Sequence, residues 1–407
     1  MGPPILAAAV PSWRRLFGAP ACRHNWRPHT FAEIGTHYTG FVISRRALLA
    51  LPILAACSSR RAGYRGYAFV ANEEGQAVAA VDLSALAVAR HIPLDASPID
   101  VLALQTRPFV YALTPENGAL QEIEADRLSF ARKIAAGSQA ISMHLSPDER
   151  VMYVLTREPK ALVRIALERF AVDWKLPLLE DPHDFAVSPD GKIAAVSAGQ
   201  SVRLVDLTMR KIGEPLGPAA ETGAVRFLSD SRTLVAASRV ERLLSVYDVA
   251  SSKLIANLPL AVRPDNLCFS NDGGQLYVTG EGVDGVVIVY PYHTPEVGQT
   301  VLAGHAPGAM AASDSFLFVA SPSSGDVSVM NIGTQKVWAV LKVGDDPGFV
   351  AVTPDDQYAL VLNRKSGDVA VLRVDLIAPN RYKERAAKLL TVIPVGSRPV
   401  SAAVRGV

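Results

Sequence analysis

An all-β ring of eight small antiparallel sheets is the fold this sequence predicts, and three observations carry the prediction. First, one unit recurs from Tyr64 onward. Its opening residues, Pro98, Gln139, Pro182, Thr222, Pro264, Pro307 and Pro347, stand 40 to 43 residues apart, and a last opening follows at Pro399 after a step of 52. A fixed period of that length marks a repeat architecture. Second, each unit spells four short β-branched runs bounded by Gly, Pro and Asp, the pattern of one β-propeller blade. Third, the two ends of the repeat region are complementary. The last opening, Pro399–Val404, has no partner strands after it, and the first second strand, at Tyr67, has no opening strand before it. One blade assembled from both ends pairs two edges that otherwise stay exposed. A seven-bladed ring is the alternative if the units at Gln139 and Thr222 fall short of full blades.

Within a unit the elements follow in order. A short apolar strand such as Phe185-Ala186-Val187 comes first. A turn follows, as at Ser188-Pro189-Asp190-Gly191, Asn271-Asp272-Gly273 or Thr353-Pro354-Asp355. Proline at the first central position with Asp behind it suits a type I turn. The second strand reads Tyr67-Ala68-Phe69-Val70-Ala71, Met152-Tyr153-Val154-Leu155 or Phe316-Leu317-Phe318-Val319. Glycine closes the next turn at Gly75, Gly118, Gly199, Gly285, Gly325 and Gly367. An alternating third strand (Val202-Arg203-Leu204-Val205-Asp206) and a fourth (Lys336-Val337-Trp338-Ala339-Val340-Leu341) complete the unit. The long last step inserts a basic stretch, Ala378–Lys388, between the outer strands of its blade; it reads as a solvated excursion or as a docking patch.

The segment before the repeats is of another kind. Ser44-Arg45-Arg46 is followed by ten apolar residues ending in Leu54-Ala55-Ala56-Cys57. A basic start, a short apolar run and small residues at the cut site describe a secretory signal, too short to span a bilayer. The ending resembles a bacterial lipobox, which implies that Cys57 carries a lipid and begins the mature protein. Ser44–Leu49 also resembles a twin-arginine export motif. The expected division is therefore 1–41 outside the native protein or disordered, 42–56 signal peptide, 57–65 tether and 66–407 propeller. The address that follows is the bacterial cell envelope, lipid-anchored, facing the periplasm or the exterior.

Charge adds an exclusion. The formal net charge is +2, but six arginines and a single acid, Glu33, fall within residues 1–56, so the body is slightly acidic. It offers no electrostatic case for nucleic acid. Three cysteines, Cys22, Cys57 and Cys268, set no disulfide framework, and Cys268 sits in the apolar run Leu267-Cys268-Phe269, a place for a buried side chain.

The repeats resemble the YVTN (Tyr-Val-Thr-Asn) class of bacterial β-propellers. Leu276-Tyr277-Val278-Thr279-Gly280 and the Asp-Gly turns carry the resemblance. It implies a propeller in the cell envelope and no particular activity. Loops entering the innermost strands ring one mouth of a propeller's channel, the default pocket. On this chain they place Asp100, His183, Asp184, Arg263, Asp265, Asn266, His305 and Arg398 there. Three carboxylates on different blades suit a cation or a polar ligand; the plain alternative is that each caps its own strand or turn.

Three functions compete. The favoured one is a monomeric, non-enzymatic binding or scaffolding module for a small polar ligand or an envelope protein, with no cofactor. The second is a lactonase-like hydrolase, but such sites need clustered His, Glu and Arg, and this mouth offers Asp. The third is haem d1-type or other redox cofactor handling, since haem d1 propellers also have eight blades. Against it, the chain lacks a Cys-x-x-Cys-His haem attachment site, and the body holds only Trp174 and Trp338.

Overall fold

The computed structural model describes residues 63–217, 221–374 and 389–406. They form eight four-stranded antiparallel sheets, and every sheet has its strands in sequence order except the one that closes the ring. The innermost strands are Asp100–Ala103, Gln139–Leu145, Pro182–Val187, Thr222–Phe227, Arg263–Phe269, Met310–Ala312, Pro347–Val352 and Pro399–Gly406. Each touches the innermost strand of the next blade, and the cycle closes on itself. We number the blades from the closing one, so that blade 2 opens at Asp100 and blade 8 at Pro347.

Blade 1 is the predicted splice. Pro399–Gly406 lies antiparallel to Gly66–Asn72, in register from Gly66 opposite Gly406 to Ala71 opposite Ser401 with a one-residue shift that sets Asn72 opposite Pro399, and Ala77–Asp82 and Ala87–Pro93 complete the sheet. The units at Gln139 and Thr222 are full blades, so the seven-bladed alternative falls. Small residues weaken the hydrophobic pattern of the Thr222 unit, but Val225, Leu234, Leu244 and Val246 are buried by the neighbouring blades. Two innermost strands start later than their prolines suggested, at Asp100 and Met310.

The hydrophobic core consists of eight slabs, one between each pair of neighbouring blades. Second strands are buried on both faces because each sheet is covered on both sides. The outermost strands alternate, as in Lys336–Lys342. Stability in such an arrangement is a sum of blades and the interfaces between them.

The turns between first and second strands share one geometry. The residue after the Asp adopts a left-handed backbone at Glu149 (φ 55°), Gly191 (φ 73°), Ser231 (φ 58°), Gly273 (φ 72°) and Asp356 (φ 56°). These turns also clasp one another from blade to blade: the Ser231 hydroxyl accepts from Asp190 N–H at 3.0 Å, and Asp356 accepts from Asp314 N–H at 2.7 Å. Burial pushes the Asp356 carboxyl up, and the Asp314 and Asp355 carboxylates add to that. The folded chain therefore holds this proton more tightly than the unfolded chain does, and ionisation at neutral pH costs stability. Asp356→Asn keeps an acceptor, removes the charge and suits the left-handed backbone, which asparagine tolerates. It should raise Tm at pH 7 by about 1–2 °C. The gain should vanish as the pH falls through the raised value toward the ordinary aspartate range, as thermal melts against pH would record.

Candidate functional site

Antiparallel strand order puts two sets of loops on one face of the disc. They are the loops entering each innermost strand and the turns joining second to third strands. Backbone hydrogen bonds tie the sets together, from Ala136 N–H to Gly118 O, Val343 N–H to Gly325 O and Val395 N–H to Gly367 O. Buried polar residues end the second strands here. Thr156 Oγ1 donates to Pro159 O at 2.6 Å, Thr279 Oγ1 to Gly308 O at 2.7 Å, and Asn72 Nδ2 to Val395 O at 2.7 Å. Gly280, which follows the Tyr-Val-Thr run, is required by close approach, since a Cβ there would lie 1.7 Å from Arg263 O.

The eight residues expected at the mouth all lie on the innermost strands or the loops before them, but the structure does not gather them. Three of them, all aspartates, are occupied in fastening blades together. Asp100 is buried and accepts from Ser401 Oγ at 2.8 Å, while Ser401 Oγ in turn accepts from Val101 N–H at 3.4 Å. Asp184 does the same work one quarter-turn away: its Oδ2 accepts from Val225 N–H at 3.2 Å and from Arg226 Nη1 at 2.5 Å. Asp265 pairs with Arg239 Nε at 2.7 Å, and burial pushes its carboxyl up against that pairing. Arg263 pairs with Glu281 at 3.1 Å on the surface. Asn266 is half-buried, opposite Thr279.

The two histidines differ. His183 is half-buried, and burial followed by the Arg157 charge holds its imidazole below the usual range, so it is neutral at pH 7. His305 is exposed, with Nδ1 2.8 Å from Asp284 Oδ2, and that partner raises it. The expectation of three carboxylates converging on a cation is corrected. Among the described residues no group of three or more His, Cys, Asp or Glu side chains is placed to hold a metal ion. Asp100, Asp184 and Asp265 are held by partners on adjacent blades, and the strands carrying them are spread around the ring. Cys57 and the insertion Ala378–Lys388 lie outside the described residues.

Arg398, one of the eight, lines a cleft. This cleft measures about 590 Å³ and opens at the seam between blade 8 and blade 1. Its walls carry Glu74 from the second turn of blade 1, Arg364 and Lys365 from the corresponding turn of blade 8, Asp346 from the loop entering blade 8, and Ser397 and Arg398 from the loop entering blade 1. Arg364 Nη2 donates to Asp346 Oδ1 at 2.7 Å. Arg398 Nε lies 2.7 Å from Glu73, and its Nη1 lies 3.6 Å from Glu74. Sequence reasoning missed Arg364, Lys365, Asp346 and Glu74. Asp346 stands directly before the Pro347 opening and was passed over there; the other three lie on turns joining second to third strands, such as Asn363-Arg364-Lys365-Ser366-Gly367, which reach the same face but were not followed.

No protein-family model matches this chain, and no curated protein matches it. Solved structures do. A structure of the dihydro-haem d1 dehydrogenase NirN in complex with DHE superposes with a TM-score of 0.68 at 14% identity, covering 82% of this chain and 74% of that one. Apo AztD from Citrobacter koseri gives 0.65 at 13% identity, over 84% of this chain and 97% of that one. A protein of unknown function from Desulfotomaculum acetoxidans gives 0.57 at 14% identity, over 84% and 99%. At such identities the likeness establishes a shared β-propeller fold.

Proposed function

We propose that this chain is a lipid-anchored envelope propeller that binds a small polar ligand or a partner protein through the face carrying the channel mouth. The single observation behind this reading is the cleft at the seam of blades 8 and 1, whose size suits a small molecule and whose polar groups converge from four separate loops. The three mouth aspartates contribute rigidity: the Asp184–Arg226 and Asp265–Arg239 pairs and the Ser401–Asp100 hydrogen bond hold the loops in place. A preformed surface of this kind loses little entropy on binding. The lipobox-like Leu54-Ala55-Ala56-Cys57 supports the anchor. Two or more acyl chains on one cysteine hold a protein stably at a membrane, where one does not.

The test uses the chain expressed with its own leader in a bacterial host. Mass spectrometry of envelope fractions is expected to find a copurifying ligand or protein with the wild type. It should be lost when Lys365 and Arg398 are both replaced by Ala, and retained with Asp184→Ala. Equal recovery from the double variant would refute the cleft as the binding site. Cys57→Ala should move the protein from the membrane pellet to the soluble periplasmic fraction, and unchanged pelleting would refute the anchor.

A second reading, haem handling, draws on one residue. His183 is neutral and sits at the mouth, as an axial ligand to haem iron needs to be. A Soret band in protein purified from its native host would favour that reading over the first.

A further inference from the structure

We propose that the cleft between blades 8 and 1 grips an anionic head group, a carboxylate or a phosphate, with Arg364 as its principal donor and Gly348 as the residue that positions it. The inference rests on reading this cleft as the binding site and adds the chemistry it recognises.

Arg364 is held on two sides. Its Nη2 donates to Asp346, and its guanidinium lies against the backbone of Gly348 on the innermost strand of blade 8. A Cβ on Gly348 would stand 2.3 Å from Arg364 Nε and 2.6 Å from Cζ. Gly348 has no left-handed backbone to explain it, so the glycine is there because the guanidinium occupies the space a side chain would need. The hydrogen bonding of that guanidinium is nevertheless incomplete. A guanidinium offers five N–H donors, and among the described residues Arg364 makes one protein side-chain hydrogen bond, with its Nε buried and without a partner. The Nε is sealed against Gly348, so the donors left for an acceptor in the cleft are the two N–H groups of Nη1 and the second of Nη2.

The charges around it point the same way. Asp346 is taken up by Arg364, and Glu74, with Glu73, by Arg398. Lys365 lies on the wall of the cleft with no ion pair among the described residues. The charges of the cleft balance overall, but Arg364 keeps unused N–H groups and Lys365 an unpaired ammonium on the same wall, and an anion supplies acceptors to both. Arginine's planar fork matches the oxygen spacing of carboxylates and phosphates, and two parallel N–H···O bonds give both strength and orientation. The loops themselves are held in costly conformations. Asp346 (φ 58°) and Arg398 (φ 55°) are left-handed although each precedes a proline, a combination that sterics disfavour. Strain of this kind persists where the surroundings enforce it, as at ligand clamps. Here it aims Asp346 at Arg364 and Arg398 at the glutamates.

The test is calorimetric titration of the purified chain with inorganic phosphate and with succinate, at physiological ionic strength. Saturable binding of at least one probe is expected, and the probe that binds more tightly identifies the head group. Arg364→Ala should weaken binding by about tenfold or more, as loss of a charge-assisted bidentate pair does. Gly348→Ala should do the same while leaving every charge in place, because its methyl displaces the guanidinium. Arg364→Lys, which keeps the charge and loses the fork, should bind at an intermediate strength. Lys336→Ala, on the outermost strand of blade 7, should bind as the wild type does. If Gly348→Ala fails to fold, the two Arg364 variants decide the matter. Absence of binding by either probe, or equal binding by wild type and Arg364→Ala, would overturn the proposal. If both probes fail while the copurifying ligand still depends on Lys365 and Arg398, the cleft remains the binding site and the anionic head group alone is wrong.

Discussion

A chain ending at Arg398 is expected to lose its cooperative thermal transition. The strand removed, Pro399–Gly406, is the inner edge of blade 1 and also the joint between its two neighbours. It runs the full length of Gly66–Asn72. Its Ser401 bonds to Asp100 and to Val101 N–H, Val404 O accepts from Gln105 Nε2 at 3.0 Å, and Arg405 Nε donates to Leu104 O at 3.2 Å. On the other side it contacts Pro347–Val352 of blade 8. Ala402 belongs to the slab between blades 8 and 1, and Val400 and Ala403 pack on the slab between blades 1 and 2. Net stabilities of domains are about 5–15 kcal/mol, and losing a whole ladder together with two slab contacts consumes that margin. Calorimetry and size-exclusion chromatography should show a broad, aggregating transition, and a synthetic peptide spanning 399–407 should restore a sharp one. A truncated chain melting at the parental temperature as a single cooperative unit would sink the account of closure.

The second large effect lies in blade 2. Tyr111 OH donates to Glu122 Oε2 at 2.8 Å, and Arg132 donates through Nε to Oε1 at 2.7 Å and through Nη2 to Oε2 at 3.3 Å. The Glu122 side chain is 2% exposed, whereas that of Arg132 is 46% exposed. Arg132 Cζ also sits 4.4 Å over the ring of Phe170 in blade 3. Burial, and after it the Glu122 charge, pushes the Tyr111 hydroxyl far up, so it stays a donor at any working pH. Arg132→Ala strands a buried carboxylate with one remaining partner. Because Arg132 itself is half in water, the expected loss is at the lower end for a broken buried pair, about 3 kcal/mol. That corresponds to roughly 4 °C in Tm for a chain of this size. The double change Arg132→Leu with Glu122→Leu, made in a Tyr111→Phe background so that no buried hydroxyl loses its acceptor, removes the charge and its partners together and should recover most of the loss. Chemical denaturation of the two single variants and the double variant, analysed as a thermodynamic cycle, measures the coupling. Additive losses would show that the three groups do not act as a unit.

The ring and its splice were legible because a propeller repeats its local grammar. A turn such as Ser188-Pro189-Asp190-Gly191 and a run such as Met152-Tyr153-Val154-Leu155 dictate strand, turn and strand without reference to distant residues. Counting openings against second strands then fixed both the number of blades and the pairing of the ends. The candidate site was not legible in the same way. Asp184 meets Arg226, and Asp265 meets Arg239, across 42 and 26 positions, between blades whose relative placement is a matter of packing. An aspartate at a strand opening reads alike whether it faces a ligand or the next blade's arginine. Arg364 was missed for a different reason. Its turn looked like every other Gly-closed turn, and what marks it is Gly348, a close approach with no local signature.

Closure also sets a clock on synthesis. Asp100 and Ser401, hydrogen-bonded in the finished ring, are 301 positions apart, and Gly66–Asn72 leaves the ribosome still earlier than Asp100. At about 5–20 residues per second, translation separates the two halves of blade 1 by roughly 15–60 s. Throughout that interval the nascent chain offers an unpaired strand edge to its neighbours, so yield in a cell depends on whatever chaperone shields that edge until its partner arrives.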